Sequence, residues 1–546
     1  MQIRTAAAAL AVLSLTTAAP AQAPATPEFT PEAFKAHVTF LADDLLEGRD
    51  AGTRGYDIAA RYVATQFEGL GLKPGANGSW YQPVPLVEFK LAEAPATVTI
   101  GGKVFRQGQD AFVSATPLDT PNSVEGEAVF VGYGLEAPSL GLNDYTGLDV
   151  RGKIVVTIGG RPSGLRSDVG AHLTSSLSHH KRLVAAKHGA IGLISIDTLA
   201  SLQRTPWEQR RKATLSPDMS WTAPTGQAFT AAPALTHAAS VSPEAAAALF
   251  QNAPRALRDV LAEAARDGAK PKGFPLVQRA KIERQSQRRT IPSSNVLAVL
   301  PGSDPTLANE YVLMMAHLDH EGVKPGKGGD TIYNGAMDNA TGIATLIETA
   351  RAMAKSDKRP RRPILFAAVT AEEDGLLGAQ YLAKNPVVGN GRIVSVVNLD
   401  MPVLTYDFVD VIAFGAEHST LGPVVERAGA QMNVKLIADP LPQEGLFARS
   451  DHYRFVQEGI PAVFLMTGFG NGGQEKFTNF LATHYHQPSD EVDLPFNWAA
   501  GAKFVRLNYL IAREIADANE APRWYSNSFF GSSFAPSAPK APAPSK

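Results

Sequence analysis

Several apolar runs in the second half of the chain end in a histidine or a carboxylate, and this feature most limits how the chain can fold. The run YVLMMA is followed by His317 and Asp319, PILFAAVT by Glu372 and Glu373, and RIVSVVNL by Asp400. Helical patterns such as ATGIATLIETARAMA separate the runs. Continuous apolar strands that alternate with helices are typical of a largely parallel sheet covered on both faces. We therefore expect an α/β fold, with three layers around a mostly parallel mixed sheet.

The chain has 546 residues, which is enough for more than one folded unit. Short alternating strands separated by turn residues, such as GEAVFVGYG and GKIVVTIGG, indicate a β-rich unit ahead of the α/β core. The end of the chain is rich in Pro, Ala and Ser, which favours a disordered tail. The sequence predicts a signal peptide over 1–23, the N-terminal part of the α/β domain over 29–123, a β-rich insert over 124–286, the α/β core over 287–519 and the tail over 520–546.

The first residues indicate export. Arg4 precedes a short apolar run that ends at Leu15, and small residues then lead to Ala23, which predicts a signal peptide cleaved after that residue. The apolar run is shorter than the ~20 residues that span a bilayer, so we expect no stable membrane anchor. We expect the protein in the periplasm or outside the cell. With 51 Lys and Arg against 53 Asp and Glu, no nucleic-acid partner is expected.

The residues at the strand ends include a set that suits metal ions. His317, Asp338, Glu373, Asp400 and His486 are far apart in sequence, so only a fold that gathers strand ends could bring them together. Two histidines and three carboxylates, one of them bridging, would give each of two divalent cations three protein ligands and leave room for a shared water. Zn²⁺ suits this set of oxygen and imidazole ligands best, with Mn²⁺ or Co²⁺ as substitutes. A hydrolytic centre with two Zn²⁺ ions per chain is predicted.

Two further roles follow from the residues beside these ligands. Asp319 is placed to accept the second ring N–H of His317 and to fix its tautomer. The adjacent Glu372 and Glu373 cannot both point the same way, so one can bind metal while the other acts as the general base. Each residue alone has a plainer explanation, such as a solvated turn or a helix cap. Buried strands that repeatedly end in acids would be costly without a cation.

At these residues the sequence resembles the secreted co-catalytic dizinc aminopeptidases, whose relatives include glutamate carboxypeptidase, glutaminyl cyclase and the transferrin receptor ectodomain. The motifs occur in the family's order: His317-x-Asp319, Asp338-Asn339-Ala340-x-Gly342, Glu372-Glu373, Asn398-Leu399-Asp400 and Tyr485-His486-x-Pro488-x-Asp490. The opening segments LADDLLEGR and GTRG also look like that family.

The resemblance assigns roles to single residues. It implies that His317 and Asp400 hold one zinc, that Glu373 and His486 hold the other, and that Asp338 bridges them. It also implies that Glu372 is the general base, that Tyr485 stabilises the oxyanion, and that a cis peptide bond follows Asp338. His320, His452 and His484 are interpreted as neighbours of the site residues rather than as ligands.

The middle of the chain resembles a protease-associated domain inserted into the peptidase, with the glycine turns and strand order of that module. Such an insert is expected to flank the cleft and restrict which substrates enter. The segment around Arg449 resembles the family's loop near the substrate. The sequence does not indicate an oligomeric state.

These patterns together predict a zinc metallopeptidase, most simply an aminopeptidase that acts on peptides with a free N-terminus. A glutamate-releasing carboxypeptidase would need several arginines beside the motifs, and the sequence offers only Arg449 there. A glutaminyl cyclase would use one zinc and no hydrolytic water. A metal-free binding protein of the receptor type would lack ligands, and none is missing from this sequence.

Overall fold

The computed structural model describes residues 27–212, 216–324 and 329–544, so the predicted signal peptide over 1–23 lies outside the described residues. Within them the α-helices are α1 (Pro31–Leu41), α2 (Arg54–Gly69), α3 (Ser167–Thr174), α4 (His180–Lys187), α5 (Leu199–Arg204), α6 (Trp207–Arg211), α7 (Pro243–Leu249), α8 (Leu257–Ala264), α9 (Thr341–Ala354), α10 (Leu377–Lys384), α11 (Leu421–Ala430), α12 (His452–Gln457), α13 (Gly473–Thr483), α14 (Trp498–Asp517) and α15 (Phe529–Phe534).

The strands of the same residues form two main sheets and two short hairpins. They are β1 (Lys73–Pro74), β2 (Tyr81–Leu91), β3 (Thr97–Ile100), β4 (Lys103–Arg106), β5 (Ala111–Val113), β6 (Ser123–Phe130), β7 (Glu136–Ala137), β8 (Leu142–Asn143), β9 (Ile154–Ile158), β10 (Gly192–Ile196), β11 (Asp218–Trp221), β12 (His237–Val241), β13 (Phe274–Glu283), β14 (Ser286–Leu300), β15 (Glu310–His317), β16 (Gly322–Val323), β17 (Ile332–Tyr333), β18 (Ile364–Val369), β19 (Arg392–Leu399), β20 (Asp410–Phe414), β21 (Lys435–Ile437) and β22 (Ala462–Thr467).

The larger sheet confirms the predicted α/β fold. Its strand order is β11-β2-β14-β18-β15-β19-β22-β20-β21, with β1 paired to β14. The four central strands β18, β15, β19 and β22 are parallel, and they are the apolar runs that the sequence suggested. Antiparallel pairs lie on both sides of this centre, so the sheet is mixed. Every residue of β18 is buried, as a strand covered on both faces requires.

The crossovers between the central strands place the carboxyl ends of those strands together. Helix α9 follows β15 and leads to β18 on one side, whereas α10 follows β18 and leads back past β15 to β19. Such crossovers are right-handed. Two crossovers that move in opposite directions across the strand order therefore place their helices on opposite faces of the sheet. The point where the direction reverses is where open α/β sheets bind ligands.

The two helical layers are built on apolar helix faces. Helix α9 is buried along almost its whole length and packs against α1 and α14. Helices α10 and α12 pack on each other, and α12 also contacts β19, β22 and α15. The core therefore lies on both sides of the central parallel strands and holds their ends in place.

The smaller sheet has the strand order β4-β3-β13-β6-β9-β10-β12-β5. Its central pairs β6–β9, β9–β10 and β10–β12 are parallel, and the outer pairs are antiparallel. This unit begins earlier than expected, because β3 to β5 precede the expected start of the insert at Val124. Strand β11 also lies within the expected insert, yet it pairs with β2 of the larger sheet. An alternating strand pattern does not show which sheet the strand joins, which explains both differences.

The tail also differs from its prediction. Residues 520–544 are described, and they include α15 and the bridged residues Trp524 and Tyr525. Trp524 is 1% exposed, and its indole N–H donates to the Gly459 carbonyl at 2.7 Å. Phe530 is fully buried. The prediction of disorder depended on the Pro, Ala and Ser content of the last residues and did not take account of the buried aromatic side chains of Trp524 and Phe530. Composition therefore gave the wrong expectation for this segment.

Among the helices of the described residues, none combines the length and the apolar character that a membrane span requires.

Candidate metal centre

The fold brings the five predicted ligands to one edge of the larger sheet. His317 ends β15, Asp400 follows β19, and Glu373 lies in the turn after β18. Asp338 lies in the irregular turn that opens α9, and His486 follows α13. The carboxyl ends of parallel strands share an edge of the sheet, which explains the gathering of three of the five.

One group of side chains surrounds His317. Its Nε2 lies 3.2 Å from Oδ1 of Asp400 and 3.2 Å from Oδ1 of Asp338. The second group surrounds His486, whose Nε2 lies 3.0 Å from Oε2 of Glu373 and 3.3 Å from Oδ2 of Asp338. The two oxygens of Asp338 thus face the two histidines, so this carboxylate lies between the groups.

The electrostatics of this cluster fit divalent cations. Burial opposes a charge on His317, yet Asp400, Glu372 and Asp338 raise the pKa of its imidazole well above the ordinary value. For His486, burial is likewise outweighed by Asp338 and Glu373, which raise its pKa to about 10. The carboxylates therefore hold a strongly negative potential at the two imidazoles, and metal ions would neutralise it. Ligands of nitrogen and oxygen without sulfur agree with zinc.

Asp319 does not contact His317 as predicted. Nδ1 of His317 donates to the main-chain carbonyl of Asp319 at 3.1 Å, whereas the carboxylate accepts the Glu373 main-chain N–H at 3.2 Å. Burial raises the pKa of Asp319 well above its usual range, and Glu373 adds to the shift. Asp319 therefore holds the tautomer of His317 through its backbone, and its side chain supports the turn that carries the two glutamates.

Glu372 and Glu373 have different environments. Burial raises the pKa of Glu372 well above its ordinary value, and Glu373, Asp451 and Asp400 add to this shift against His317. Burial also disfavours a charged Glu373, but contacts with His320 and His486 lower its pKa to about 2. Ala371, immediately before the pair, adopts a left-handed backbone with φ 53°. This uncommon conformation turns the chain sharply after β18 and places the neighbouring side chains differently.

Tyr485 lies beside the second group of ligands. Its ring packs on that of His486 with 3.9 Å between the ring centroids. Burial raises the pKa of its hydroxyl, and the charges of Asp338 and Glu373 act in the same direction. The phenol therefore stays protonated over the physiological range and can donate a hydrogen bond.

Several residues that the sequence did not assign support the ligands. Oε1 of Glu321 lies 3.2 Å from Nδ1 of His486, and Nδ1 of His320 lies 2.7 Å from Oε1 of Glu373. The hydroxyl of Ser450 donates to Oδ2 of Asp400 at 2.6 Å. Asp490 accepts the main-chain N–H groups of Met337 at 2.9 Å and Asp338 at 3.0 Å. These contacts fix the orientation of the predicted ligands, as partners in the outer shell of metal centres do.

The turn at Asp338 has an unusual backbone. The peptide bond between Asp338 and Asn339 is cis, as the resemblance implies. The Asn339 side chain donates to the Leu399 carbonyl at 2.9 Å and accepts the main-chain N–H of Gly342 at 3.0 Å and of Met401 at 3.2 Å. Asn339 therefore joins the start of α9 to the end of β19, which holds Asp338 and Asp400 in register.

The fold and the centre define an α/β protein with paired histidines and carboxylates at the strand ends. Residues 295–511 match the profile of Peptidase family M28.

Known proteins share parts of this sequence, and one solved structure shares its fold. A probable zinc metalloprotease of Pyrenophora teres f. teres is 37% identical over 109 residues, which are 20% of this chain and 22% of that protein. Leupeptin-inactivating enzyme 1 of Streptomyces exfoliatus is 30% identical over 179 residues, which are 32% of this chain and 36% of that protein. This chain therefore spans well under half the length of either relative. An aminopeptidase from Aneurinibacillus sp. strain AM-1 has a similar fold, with TM-score 0.50 and 21% identity over 90% of this chain and 95% of that chain.

Proposed function

We propose that this chain is a secreted zinc metallopeptidase that uses two metal ions to remove N-terminal residues from peptides. The observation that carries the proposal is the convergence of His317, Asp400, Asp338, Glu373 and His486, with Asp338 between two histidine-carboxylate pairs. Glu372 and Tyr485 beside this set would supply the remaining groups. The match of residues 295–511 to the profile of Peptidase family M28 and the similarity to a probable zinc metalloprotease support the choice of a zinc peptidase.

The ligands divide between two cations. His317 and Asp400 would hold one zinc, Glu373 and His486 the other, and Asp338 would bridge them. When bound, the cations would polarise the substrate carbonyl and lower the pKa of a shared water towards ~7. Mn²⁺ or Co²⁺ could substitute in the same set of ligands.

Two side chains would move or hold protons. The Glu372 carboxylate accepts a proton from the attacking water and returns it to the nitrogen of the leaving amine. Burial and neighbouring acids raise its pKa, which is the direction in which a carboxyl group is tuned when it both accepts and donates a proton. The Tyr485 hydroxyl donates a hydrogen bond to the oxyanion that forms when the peptide carbonyl becomes tetrahedral.

The charges around the centre favour an amine end over a carboxylate end. Two buried cations near the centre are already engaged by main-chain carbonyls. Arg49 donates to the carbonyls of Leu318 and Gly335, and Arg454 donates to those of Leu177 and Gly375. Because both guanidinium groups are engaged in this way, neither is placed to pair with a substrate carboxylate, which favours the amine end.

The alternatives make different demands. A glutamate-releasing carboxypeptidase would need free arginines, and Arg449 is half-exposed with its guanidinium 3.9 Å from Glu444. A glutaminyl cyclase would use one zinc, whereas both histidines here have their own carboxylate partners. A metal-free receptor-like protein would have no reason to collect these buried acids.

The smaller sheet would act as an inserted unit of the protease-associated type. It lies against the turns that carry the catalytic side chains, since Arg454 of α12 bonds both Leu177 from this unit and Gly375 after the two glutamates. We propose that the unit forms one side of the substrate cleft and restricts which peptides enter.

The test is release of a chromophore from a panel of aminoacyl anilides by the purified protein, with bound metal quantified and a chelator control. Chelator-sensitive release with about two zinc ions per chain is expected, as a two-metal centre requires. Bound metal without release would point instead to C-terminally cleaved or cyclising substrates. Absence of both would favour the binding protein. Sequencing the N-terminus of exported protein would test the proposed cleavage after Ala23.

A further inference from the structure

Arg49 is a buried arginine that the proposed chemistry does not use. It is 1% exposed and lies in the LEGR motif between α1 and α2. Its Nε donates to the Leu318 carbonyl at 2.9 Å, and its terminal nitrogens donate to the carbonyls of Asn334 at 2.5 Å, Gly335 at 3.1 Å and Leu41. One guanidinium therefore joins three separate segments of the chain.

Two of these segments carry proposed metal ligands. Leu318 follows His317 directly, and its carbonyl belongs to the turn between His317 and Asp319. Asn334 and Gly335 begin the turn that leads to Asp338. The guanidinium thus ties the strand end that carries one histidine to the turn that carries the carboxylate between the two groups.

The backbone around Arg49 is shaped for this contact. Glu47, Gly48 and Arg49 all adopt left-handed conformations, with φ of 49°, 67° and 54°. A Cβ on Gly48 would lie 2.5 Å from the Tyr333 carbonyl oxygen and 2.6 Å from that of Gly322, so only glycine fits there. Non-glycine residues in this region cost roughly 1–3 kcal/mol each and persist where the surroundings require them. The segment therefore packs closely against the β16–β17 hairpin, which lies between His320 and Asp338 in the sequence.

A second contact joins the same segments. The Asn334 amide donates to the Ala42 carbonyl at 2.8 Å and to Oδ1 of Asp44 at 2.8 Å. The main-chain N–H of His320 donates to the Arg49 carbonyl at 3.3 Å. The N-terminal segment 41–50 thus acts as a clasp on the turns at His320 and Asn334.

The charge of Arg49 also suits its place. Burial lowers its pKa to about 10, while Asp319, Asp490, Asp338 and Glu373 oppose this effect. The guanidinium therefore remains charged at neutral pH and interacts favourably with these four carboxylates.

We propose that Arg49 is a positioning residue that holds His317 and Asp338 at their mutual distance and thereby sets the affinity of the centre for zinc. The inference rests on the proposed function, because it needs the metal centre. Arginine is required because a planar fork can donate to several carbonyls in fixed directions, which the single ammonium of lysine cannot do.

The matched control is Arg362, a second fully buried arginine. Its Nε donates to Glu310 at 3.0 Å, and its terminal nitrogens donate to the carbonyls of Ala518 and, at 3.4 Å, Ile515. It precedes β18, and the centre lies beyond the carboxyl end of that strand, roughly 20 Å away for six residues at ~3.3 Å each. Arg362→Lys therefore causes similar damage to a buried charge network without touching the centre.

The experiment compares Arg49→Lys and Arg362→Lys with the wild-type protein. Zinc affinity is measured by competition with a chromophoric chelator, and folding by circular dichroism and Tm of the metal-free proteins. Both variants should lower Tm, and Arg49→Lys alone should raise the Kd for zinc by roughly 10- to 100-fold, the usual effect of losing an outer partner of a metal centre.

Asn334→Ala is the second variant, since it loosens the same clasp and leaves the buried cation paired. It should raise the Kd for zinc several-fold, which keeps the test decisive if Arg49→Lys does not fold. Unchanged zinc affinity in both variants, or an equal loss in Arg362→Lys, would overturn the proposal. A wild-type protein that binds no zinc would overturn the proposed function itself, and the role of Arg49 with it.

Discussion

Glu372 and Glu373 are adjacent residues with opposite electrostatic environments. Burial raises the pKa of Glu372, with further increases from Asp451 and Asp400, whereas His320 and His486 outweigh burial at Glu373 and lower its pKa to about 2. Pairs of acids whose surroundings separate their pKa values often divide the work of a catalytic site. This contrast, rather than the dipeptide itself, favours Glu372 as the base and Glu373 as the ligand.

The division of roles predicts the behaviour of Glu372→Gln. The variant should retain its zinc because Glu372 is not a proposed ligand. It should lose about 10²- to 10⁴-fold in kcat, which is the usual contribution of a general base. Anilide hydrolysis and metal content would be measured together. Glu458→Gln, at an exposed ion pair with Lys384, is the control and should leave both unchanged. A near-native kcat for Glu372→Gln would remove its assigned role.

Asp168 predicts an acid-dependent loss of stability. Burial disfavours its charge, but hydrogen bonds from His418 and Arg166 outweigh burial and hold its pKa well below the ordinary value. A carboxylate whose pKa is depressed by folding contributes stability above its unfolded pKa of ~3.9 and loses it as the pH falls further. Asp168→Asn should therefore have a lower Tm than the wild-type protein at pH 7, and the gap should narrow below about pH 4. A gap that is constant between pH 7 and pH 3 would contradict this account.

The elements show what could be predicted from the sequence and why the rest could not. Strands β15, β18 and β19 were readable because strands buried on both faces are continuous apolar runs, and the ligands follow them directly. Glu321 and Ser450 lie in loops and contact His486 and Asp400, which are far away in the sequence, and no local pattern predicts such contacts. The carboxylate of Asp319 was assigned to His317 because two-residue spacing permits this contact, whereas the folded turn presents the backbone carbonyl instead.

The C-terminal segment with α15 predicts a stability effect. Trp524 fills a buried site and its indole bonds Gly459, while Phe530 packs against His418 and Phe447. Trp524→Ala should cost about 3–5 kcal/mol, the usual loss for a large buried aromatic. Guanidinium unfolding curves would show a lower midpoint. Val277→Ala, at a residue that is 62% exposed, serves as the control. It should change the free energy of unfolding by no more than ~0.5 kcal/mol. Similar midpoints for both variants would mean that the segment adds little to stability.

At the scale of the whole molecule, helix α3 connects the unit of the smaller sheet to the unit of the larger sheet, on one side of the candidate metal centre. Helix α3 of the smaller unit contributes Asp168, whose carboxylate lies 2.7 Å from Nε2 of His418, and His172, which contacts the Tyr453 hydroxyl. Phe530 packs edge-on against both of these histidines. Helix α3, the segments that carry His418 and Tyr453, and the C-terminal segment therefore form one interface next to the turn that leads to Ser450.

Metal removal should destabilise the whole chain. Without cations the buried carboxylates around Asp338 repel one another, so the folded state should gain stability from any ion that binds there. A ligand at 1,000 times its Kd adds about 4 kcal/mol. Tm should fall after treatment with a chelator and recover with Zn²⁺, with a smaller recovery in Mg²⁺ because imidazole ligands suit zinc better. A Tm that does not respond to chelator would argue against an occupied buried centre.

The interface at α3 also has a consequence for the order of folding. His172 packs against Phe530, which is about 360 residues later in the chain. At the usual synthesis rate of ~5–20 residues per second, these partners are made about 20 to 70 s apart. The contacts of α3 with His418 and Tyr453 can form earlier in that interval, but the contact of His172 with Phe530 cannot form until Phe530 has been made. The interface at α3 therefore becomes complete only after the C-terminal segment has been made.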